Sequence, residues 1–194
     1  CHYLSLPQLS LDFMLKKTKV KIELLTDIEK ILFVERNIRG GLSFISQRSV
    51  SAQQVEEEGG GYNTEMLYVD ANNLYGQSMS GYLPLNNFKW LEESHLKDTV
   101  IDWLTVDLKG EYGFILEVDL SYPANLHVEQ NWYPLAPEKV DINFDMLSPY
   151  AQSCHKFLKP AEKTYKAQKL TSTFLPRQNY VCHFANLQLY LKLG

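Results

Sequence analysis

A short apolar run that leads into an aspartate and a turn constrains the fold of this chain most strongly. Residues 66–69 are apolar and β-prone, which predicts a buried strand with Asp70 at its end. The next six residues include two asparagines and a glycine, which mark a turn, and a helix could open over residues 74–79. A strand, an acid, a turn and a helix in this order can hold a carboxylate beside backbone N–H groups. Such a place suits a divalent cation together with a phosphate.

The simplest interpretation of Asp70 is a helix N-cap or a turn former, because aspartate is common in both positions. The residues that follow Asp70 favour a different interpretation. They resemble motif A of the family B DNA polymerases, Asp-x-x-Ser-Leu-Tyr-Pro-Ser, in the sequence Asp70-Ala71-Asn72-Asn73-Leu74-Tyr75-Gly76. The aspartate, leucine and tyrosine stand at the matching spacing, whereas asparagine replaces the serine and glycine replaces the proline. Together with Leu83-Pro84 and Phe88-Lys89-Trp90, the stretch is most similar to the protein-primed branch, in particular to polymerases of Polinton/Maverick-type mobile elements and related viruses.

The resemblance implies a DNA-directed DNA polymerase, a nucleotidyltransferase that adds deoxynucleotides by two-metal catalysis. Asp70 would be the catalytic carboxylate and would bind Mg²⁺, with the Ala71 carbonyl as a backbone ligand and two ions in the complete enzyme. The ring of Tyr75 would lie beneath the sugar of the incoming dNTP and exclude a 2′-hydroxyl. The implied nucleotide-binding residues are Ala71, Asn72, Asn73, Leu74 and Tyr75. The implied partners are a DNA template and primer, a dNTP and, as an alternative primer, a terminal protein.

A second motif precedes the first along the chain and ends in adjacent glycines. Two glycines after an arginine let the backbone approach a ligand closely, although a plain loop explains most such pairs. Ile38-Arg39-Gly40-Gly41 resembles the Tyr-x-Gly-Gly motif that joins the exonuclease and polymerase domains of family B enzymes, with isoleucine in place of the tyrosine. The resemblance implies that Arg39, Gly40 and Gly41 contact template DNA.

The resemblance also implies an α/β (α+β) fold with a palm-type sheet, covering helices and an irregular proline-rich insertion. The strands of that sheet are expected near residues 42–48, 66–70 and 112–120. Residues 1–41 would end an exonuclease domain and its linker, and residues 42–92 would begin the palm. Residues 93–194 would continue the palm and include an insertion that contacts the terminal protein.

Local patterns predict the remaining elements. The acidic, glycine-rich residues 51–64 predict a flexible loop. A further strand is expected over residues 180–184. Helical spacing and start signals predict helices over residues 9–15, 27–36, 92–104 and 186–193, and partly over 156–169.

Charge is distributed unevenly along the chain. The net charge is -4, but residues 1–50 carry +3, residues 51–150 carry -13 and residues 151–194 carry +6. Basic segments at both ends can meet phosphates, while the acidic middle is typical of either a metal site or a solvated surface. Three cysteines without a Cys-x-x-Cys pair favour a reducing, intracellular setting, and no stretch is apolar enough to predict a membrane span.

Alternative functions stay open at the level of sequence. The second metal carboxylate of a family B polymerase lies in motif C, and neither motif C nor motif B is found here, so we expect a fragment that is inactive alone. Asp70, Glu117 and Asp119 could instead form a two-metal nuclease, although a strand often carries acids on its solvent face. A non-catalytic relic of a mobile-element polymerase is another possibility. The Cys-His pairs at 154–155 and 182–183 fit no common zinc spacing.

Overall fold

The computed structural model of this chain describes residues 2–45, 47, 49–59, 64–91, 101–159 and 165–194. It has a mixed α/β fold in which the strands form small antiparallel sheets, so the mixed α/β class is confirmed, whereas the palm-type sheet stays a prediction. The chain divides into two compact units. The first comprises Cys1–Arg36 and Asn73–Gly113, and the second comprises Asn37–Asn72 and Phe114–Gly194.

Four helices come first along the chain, and all four strands lie after residue 114. The strands are β1 (Ile115–Leu120), β2 (Glu138–Asn143), β3 (Lys166–Thr171) and β4 (Arg177–His183). The helices are α1 (Leu6–Thr18), α2 (Ile28–Asn37), α3 (Ala52–Glu57), α4 (Leu74–Met79), α5 (Pro149–Leu158) and α6 (Phe184–Lys192). No helix within the described ranges is long and apolar enough to cross a membrane.

In the first unit, α2 packs against residues 88–90, which follow α4 along the chain. The helix begins after Asp27, whose carboxylate accepts a hydrogen bond from the Glu29 N–H at 2.8 Å, as the predicted start signal requires. The ring of Phe33 meets the ring of Trp90 edge-on at 5.3 Å, and the Lys30 ammonium donates to the Phe88 carbonyl at 2.9 Å. These contacts hold the segment around residues 88–90 beside α2.

The second unit contains two antiparallel strand pairs. Strand β1 pairs with β4, with Leu116 opposite Cys182, and β2 pairs with β3. Side chains of β1 alternate between exposed and half-buried, as the predicted strand requires. The buried apolar residues lie mainly on β4 and α6: Ala136, Tyr180, Val181, Cys182, Phe184 and Leu187. The core of this unit is therefore built where β4 turns directly into α6.

Arg177, a buried arginine on β4, holds the segment around Ala136 against this core. Arg177 is only 1% exposed, and its guanidinium donates to the carbonyls of Ala136 at 3.0 Å and Thr173 at 2.8 Å. Glu138 lies 3.6 Å from the same guanidinium and supplies an opposite charge. A guanidinium has five N–H donors, and its burial is tolerated when they find acceptors. The contacts of Arg177 satisfy several of these donors.

Two of the strands expected in the palm-type sheet are absent where they were predicted. Residues 66–70 form no strand, and residues 42–45 form none either, while 46 and 48 lie outside the described residues. The side chains of residues 66–69 are between 59% and 95% exposed. A strand needs a paired neighbour to satisfy its backbone groups, and no described segment pairs with this one. The strand predicted at 112–120 is confirmed as β1.

Local predictions fared unevenly. The strand expected at 180–184 is confirmed, and the helix expected at 186–193 forms slightly earlier as α6. The flexible loop predicted at 51–64 contains α3. The partial helix predicted at 156–169 is confirmed over residues 156–158, whereas residues 166–169 belong to β3 and residues 160–164 lie outside the described residues. Most of the helix predicted at 92–104 lies outside the described residues.

Candidate functional site

The turn after Asp70 is built by an asparagine cap. Helix α4 begins at Leu74, as predicted, and its N-cap is Asn73 in the left-handed conformation, with φ 54° and ψ 51°. Asparagine tolerates this conformation better than most residues because its short side chain bonds to nearby backbone. Its side-chain oxygen accepts a hydrogen bond from the Gly76 N–H at 3.1 Å. Asn73, and not Asp70, therefore caps α4.

The chain departs from the polymerase motif at Asn73, Gly76 and Gln77, and the first two of these departures depend on each other. A Cβ at Gly76 would overlap the side-chain amide of Asn73. A proline at position 76, as in the motif, would also lack the N–H that Asn73 accepts. Asparagine and glycine thus form a matched pair at the positions where the motif has serine and proline. The spacing Asn-x-x-Gly is visible in the sequence, but by itself it predicts only a turn.

Asp70 presents a free carboxylate. The residue is exposed, and its carboxylate has no hydrogen bond or ion pair with any residue that the structure describes. Carboxylate and carbonyl oxygens suit Mg²⁺, which commonly takes one or two carboxylates and completes its shell with waters and substrate phosphates. Asp70 and the neighbouring Ala71 carbonyl match this donor chemistry. Across the described ranges, however, no three histidine, cysteine, aspartate or glutamate side chains lie together as a metal site.

The implied nucleotide-binding residues are all open to solvent. Residues 71–75 are exposed, and the Tyr75 side chain retains 72% of its accessible surface. An aromatic ring left this open can pack against a ligand. The division between the two compact units falls between Asn72 and Asn73, so the motif contributes residues to both units.

Arg39 is engaged within its own unit. Its guanidinium donates to the Val181 carbonyl at 2.7 Å and to the Asn37 carbonyl at 3.3 Å. The same group lies 3.9 Å from the centre of the Tyr180 ring, a cation–π contact. Gly40 is exposed, and a Cβ there would meet nothing within 4 Å. The fold itself therefore requires the arginine but has no steric need for glycine at position 40.

A polar cluster that the sequence did not reveal surrounds Arg39. Burial raises the pKa of the Tyr180 hydroxyl, whereas the nearby Arg39 charge acts in the opposite direction. Burial, and then the Tyr180 hydroxyl, raise the pKa of Tyr190. Burial also raises the pKa of the Cys182 thiol. These groups stay protonated at neutral pH, so the cluster is suited to packing and not to nucleophilic chemistry.

The structure does not assemble the alternative sites. Glu117 and Asp119 lie on the exposed face of β1, and the Asp119 carboxylate accepts a hydrogen bond from the Asn179 N–H at 2.9 Å. These two acids and Asp70 form no metal-binding group, and neither do the Cys-His pairs. His183 is occupied as the N-cap of α6, where its Nδ1 accepts from the Ala185 N–H at 3.3 Å.

No known protein family, curated protein or solved structure matches this chain.

Proposed function

We propose that this chain is part of a family B DNA polymerase of the protein-primed type and carries its motif A. The observation that carries the proposal is the free carboxylate of Asp70 at the start of a motif-like turn. Asn73 takes over the capping of α4, so capping that helix does not account for the aspartate. Asp70 is exposed and has no partner among the described residues, which fits a residue that binds a ligand.

In this proposal, Asp70 and the Ala71 carbonyl hold Mg²⁺ together with ligands from further motifs of the polymerase. A bound ion of this kind would lower the pKa of the attacking 3′-hydroxyl and steady the charge on the phosphate. The chain's own contribution is to fix one carboxylate at the reacting phosphate. Tyr75 supplies a rigid aromatic surface for the sugar of the dNTP, and its ring blocks a 2′-hydroxyl sterically.

The remaining parts of the proposal concern the fold and the partners. A palm-type sheet would need strands beside β1 and β4 from elsewhere in the polymerase. The partners would be a DNA template, a DNA or terminal-protein primer, and a dNTP. Gly40 and Gly41 would approach the template through their backbone, because the Arg39 guanidinium is already bound to β4.

Substitution of the metal-binding carboxylate tests the proposal. In the longer polypeptide that carries motifs B and C, Asp70→Asn keeps the shape of the side chain and removes its charge. We expect Mg²⁺-dependent nucleotide addition to fall by about 10²-fold or more while DNA binding persists, because the lost contribution is charge stabilisation in the transition state. Primer extension and DNA-binding titrations measure the two effects.

The matched control is Glu65→Gln, which removes an equally exposed carboxylate a few residues earlier. This variant should extend primers like the wild type. Full activity of Asp70→Asn, or equal losses in both variants, would contradict the assignment of Asp70.

A further inference from the structure

We propose that the surface at the carboxyl-terminal end of α1 binds the phosphate backbone of single-stranded DNA and stacks a base on Phe13. Four lysines lie within six residues of the chain there: Lys16, Lys17, Lys19 and Lys21. Phe13 and the first three of these lysines line one open hollow of about 340 Å³. The inference adds a second DNA contact to the proposed function, and it rests on that function for the choice of DNA as ligand.

The lysine charges are not neutralised by the protein. All four lysines are exposed, and none forms an ion pair with a residue in the described part of the chain. The Glu23 carboxylate, which follows these lysines in the sequence, accepts a hydrogen bond from the Asn87 N–H. Uncompensated ammonium groups grouped in this way attract a polyanion and release its counterions on binding.

The backbone conformation of Lys19 favours a ligand-binding role for its side chain over a structural one. Lysines in the last turn of a helix favour its dipole, which explains Lys16 and Lys17 without any ligand. Lys19 follows the helix in the left-handed conformation, with φ 63°, while its N–H closes the helix on the Leu15 carbonyl. Glycine is the usual residue at this position, because a side chain is strained there. The chain thus retains a charged side chain where the fold alone favours glycine.

The apolar residues of α1 favour DNA over an anionic membrane. A helix that lies on a membrane needs one continuous apolar face. In α1 the exposed apolar side chains are spread around the helix, with Leu6, Leu9 and Phe13 on one stripe and Leu11 and Met14 outside it. Phe13 is 67% exposed beside the lysines, as a base-stacking platform requires.

The test measures binding of a fluorescent oligothymidine of about 12 nucleotides by anisotropy, between about 50 and 300 mM salt and with EDTA present. The variant replaces Lys16, Lys17 and Lys19 with glutamine. Its matched control replaces the exposed Lys139, Lys166 and Lys169, which removes the same charge from the β2–β3 pair. We expect the α1 variant to bind about tenfold or more weakly, with a log–log salt slope shallower by about 2, and the control to bind almost like the wild type.

Single substitutions divide the effect further. Lys19→Gly should keep or raise the thermal midpoint, since glycine suits the backbone, and yet reduce the salt slope by about 0.7. Phe13→Leu should weaken binding about fivefold or more without changing the slope, because stacking involves no counterion.

Three results would overturn the proposal: unchanged binding by the triple α1 variant, equal losses in the α1 and control variants, or lysine-dependent binding to phosphatidylserine vesicles in place of DNA. Unchanged binding by Phe13→Leu would contradict the role of its ring. The assay contains neither metal nor dNTP, so its result does not depend on the metal-binding role proposed for Asp70. Failure here is therefore distinguishable from failure of the polymerase assignment.

Discussion

At the scale of single residues, Arg39 illustrates how a side chain suggested by a DNA-binding motif can pack against the core instead. Its guanidinium holds residues 37–40 against β4 through the Val181 carbonyl and the Tyr180 ring. Val181 lies 142 residues after Arg39 along the chain. Sequence patterns report neighbours a few residues apart, so they could not indicate this contact.

We predict that Arg39→Ala destabilises the second unit by about 1–3 kcal/mol, because the Val181 carbonyl loses a donor and the Tyr180 ring loses its cation. Arg39→Lys should recover only part of this, since lysine lacks the planar guanidinium. Arg36→Ala, which removes an exposed arginine from the last turn of α2, is the control. Chemical denaturation provides the free energies of unfolding. Equal stabilities of the Arg39 and Arg36 variants would show that the contact contributes nothing.

At the scale of elements, local signals predicted helices better than strands. The start of α2 at Asp27 and the span of α4 were both predictable, because caps and turns are formed by residues close in sequence. Residues 66–69 have the composition of a strand, but a strand also needs a distant partner. Strand β3 was not predicted, because its lysine-rich sequence is also typical of a basic helix. Its strand conformation depends on pairing with β2, which local patterns do not show.

A pH-dependent cap lies between β4 and α6. Nδ1 of His183 accepts the Ala185 N–H, and it can do so only when that nitrogen is unprotonated. Burial lowers the pKa of His183 from its ordinary 6.5, so the folded state disfavours protonation. The stabilisation is therefore complete above about pH 6.5 and is lost as the pH falls through the lowered pKa of the folded state.

The test compares the wild type with His183→Asn, which can cap α6 at any pH. The stability of the wild type relative to this variant should be constant above about pH 6.5 and should fall in more acidic buffer by about 1 kcal/mol, the typical cost of losing an N-cap. Thermal unfolding followed across this range measures the difference, and the other titrating groups cancel. Parallel pH profiles for the two proteins would exclude a role for His183 protonation.

At the scale of the whole molecule, the two units differ in how much they bury. Among the described residues, the buried apolar ones lie in the second unit, whereas α1 and α2 have no fully buried residue. The sequence predicted the α/β class and several elements, but it could not show that the motif around Asp70 crosses from one unit to the other. That division depends on contacts throughout the chain, which short-range periodicity does not encode. The four lysines of the proposed DNA surface lie in the first unit.

The central claim is that this chain carries the nucleotide-binding motif of a DNA polymerase, and sugar discrimination by Tyr75 tests it most directly. In the complete polymerase, Tyr75→Val removes an exposed ring that the fold does not need for its core. We predict that the variant keeps most of its dNTP incorporation and gains ribonucleotide incorporation by about 10²-fold, because the barrier to the 2′-hydroxyl is steric. The control is Tyr82→Val, which removes a similarly exposed tyrosine outside the motif. Single-nucleotide incorporation of dNTP and rNTP measures the ratio. A Tyr75→Val enzyme that rejects ribonucleotides as strongly as the wild type would contradict the motif A assignment.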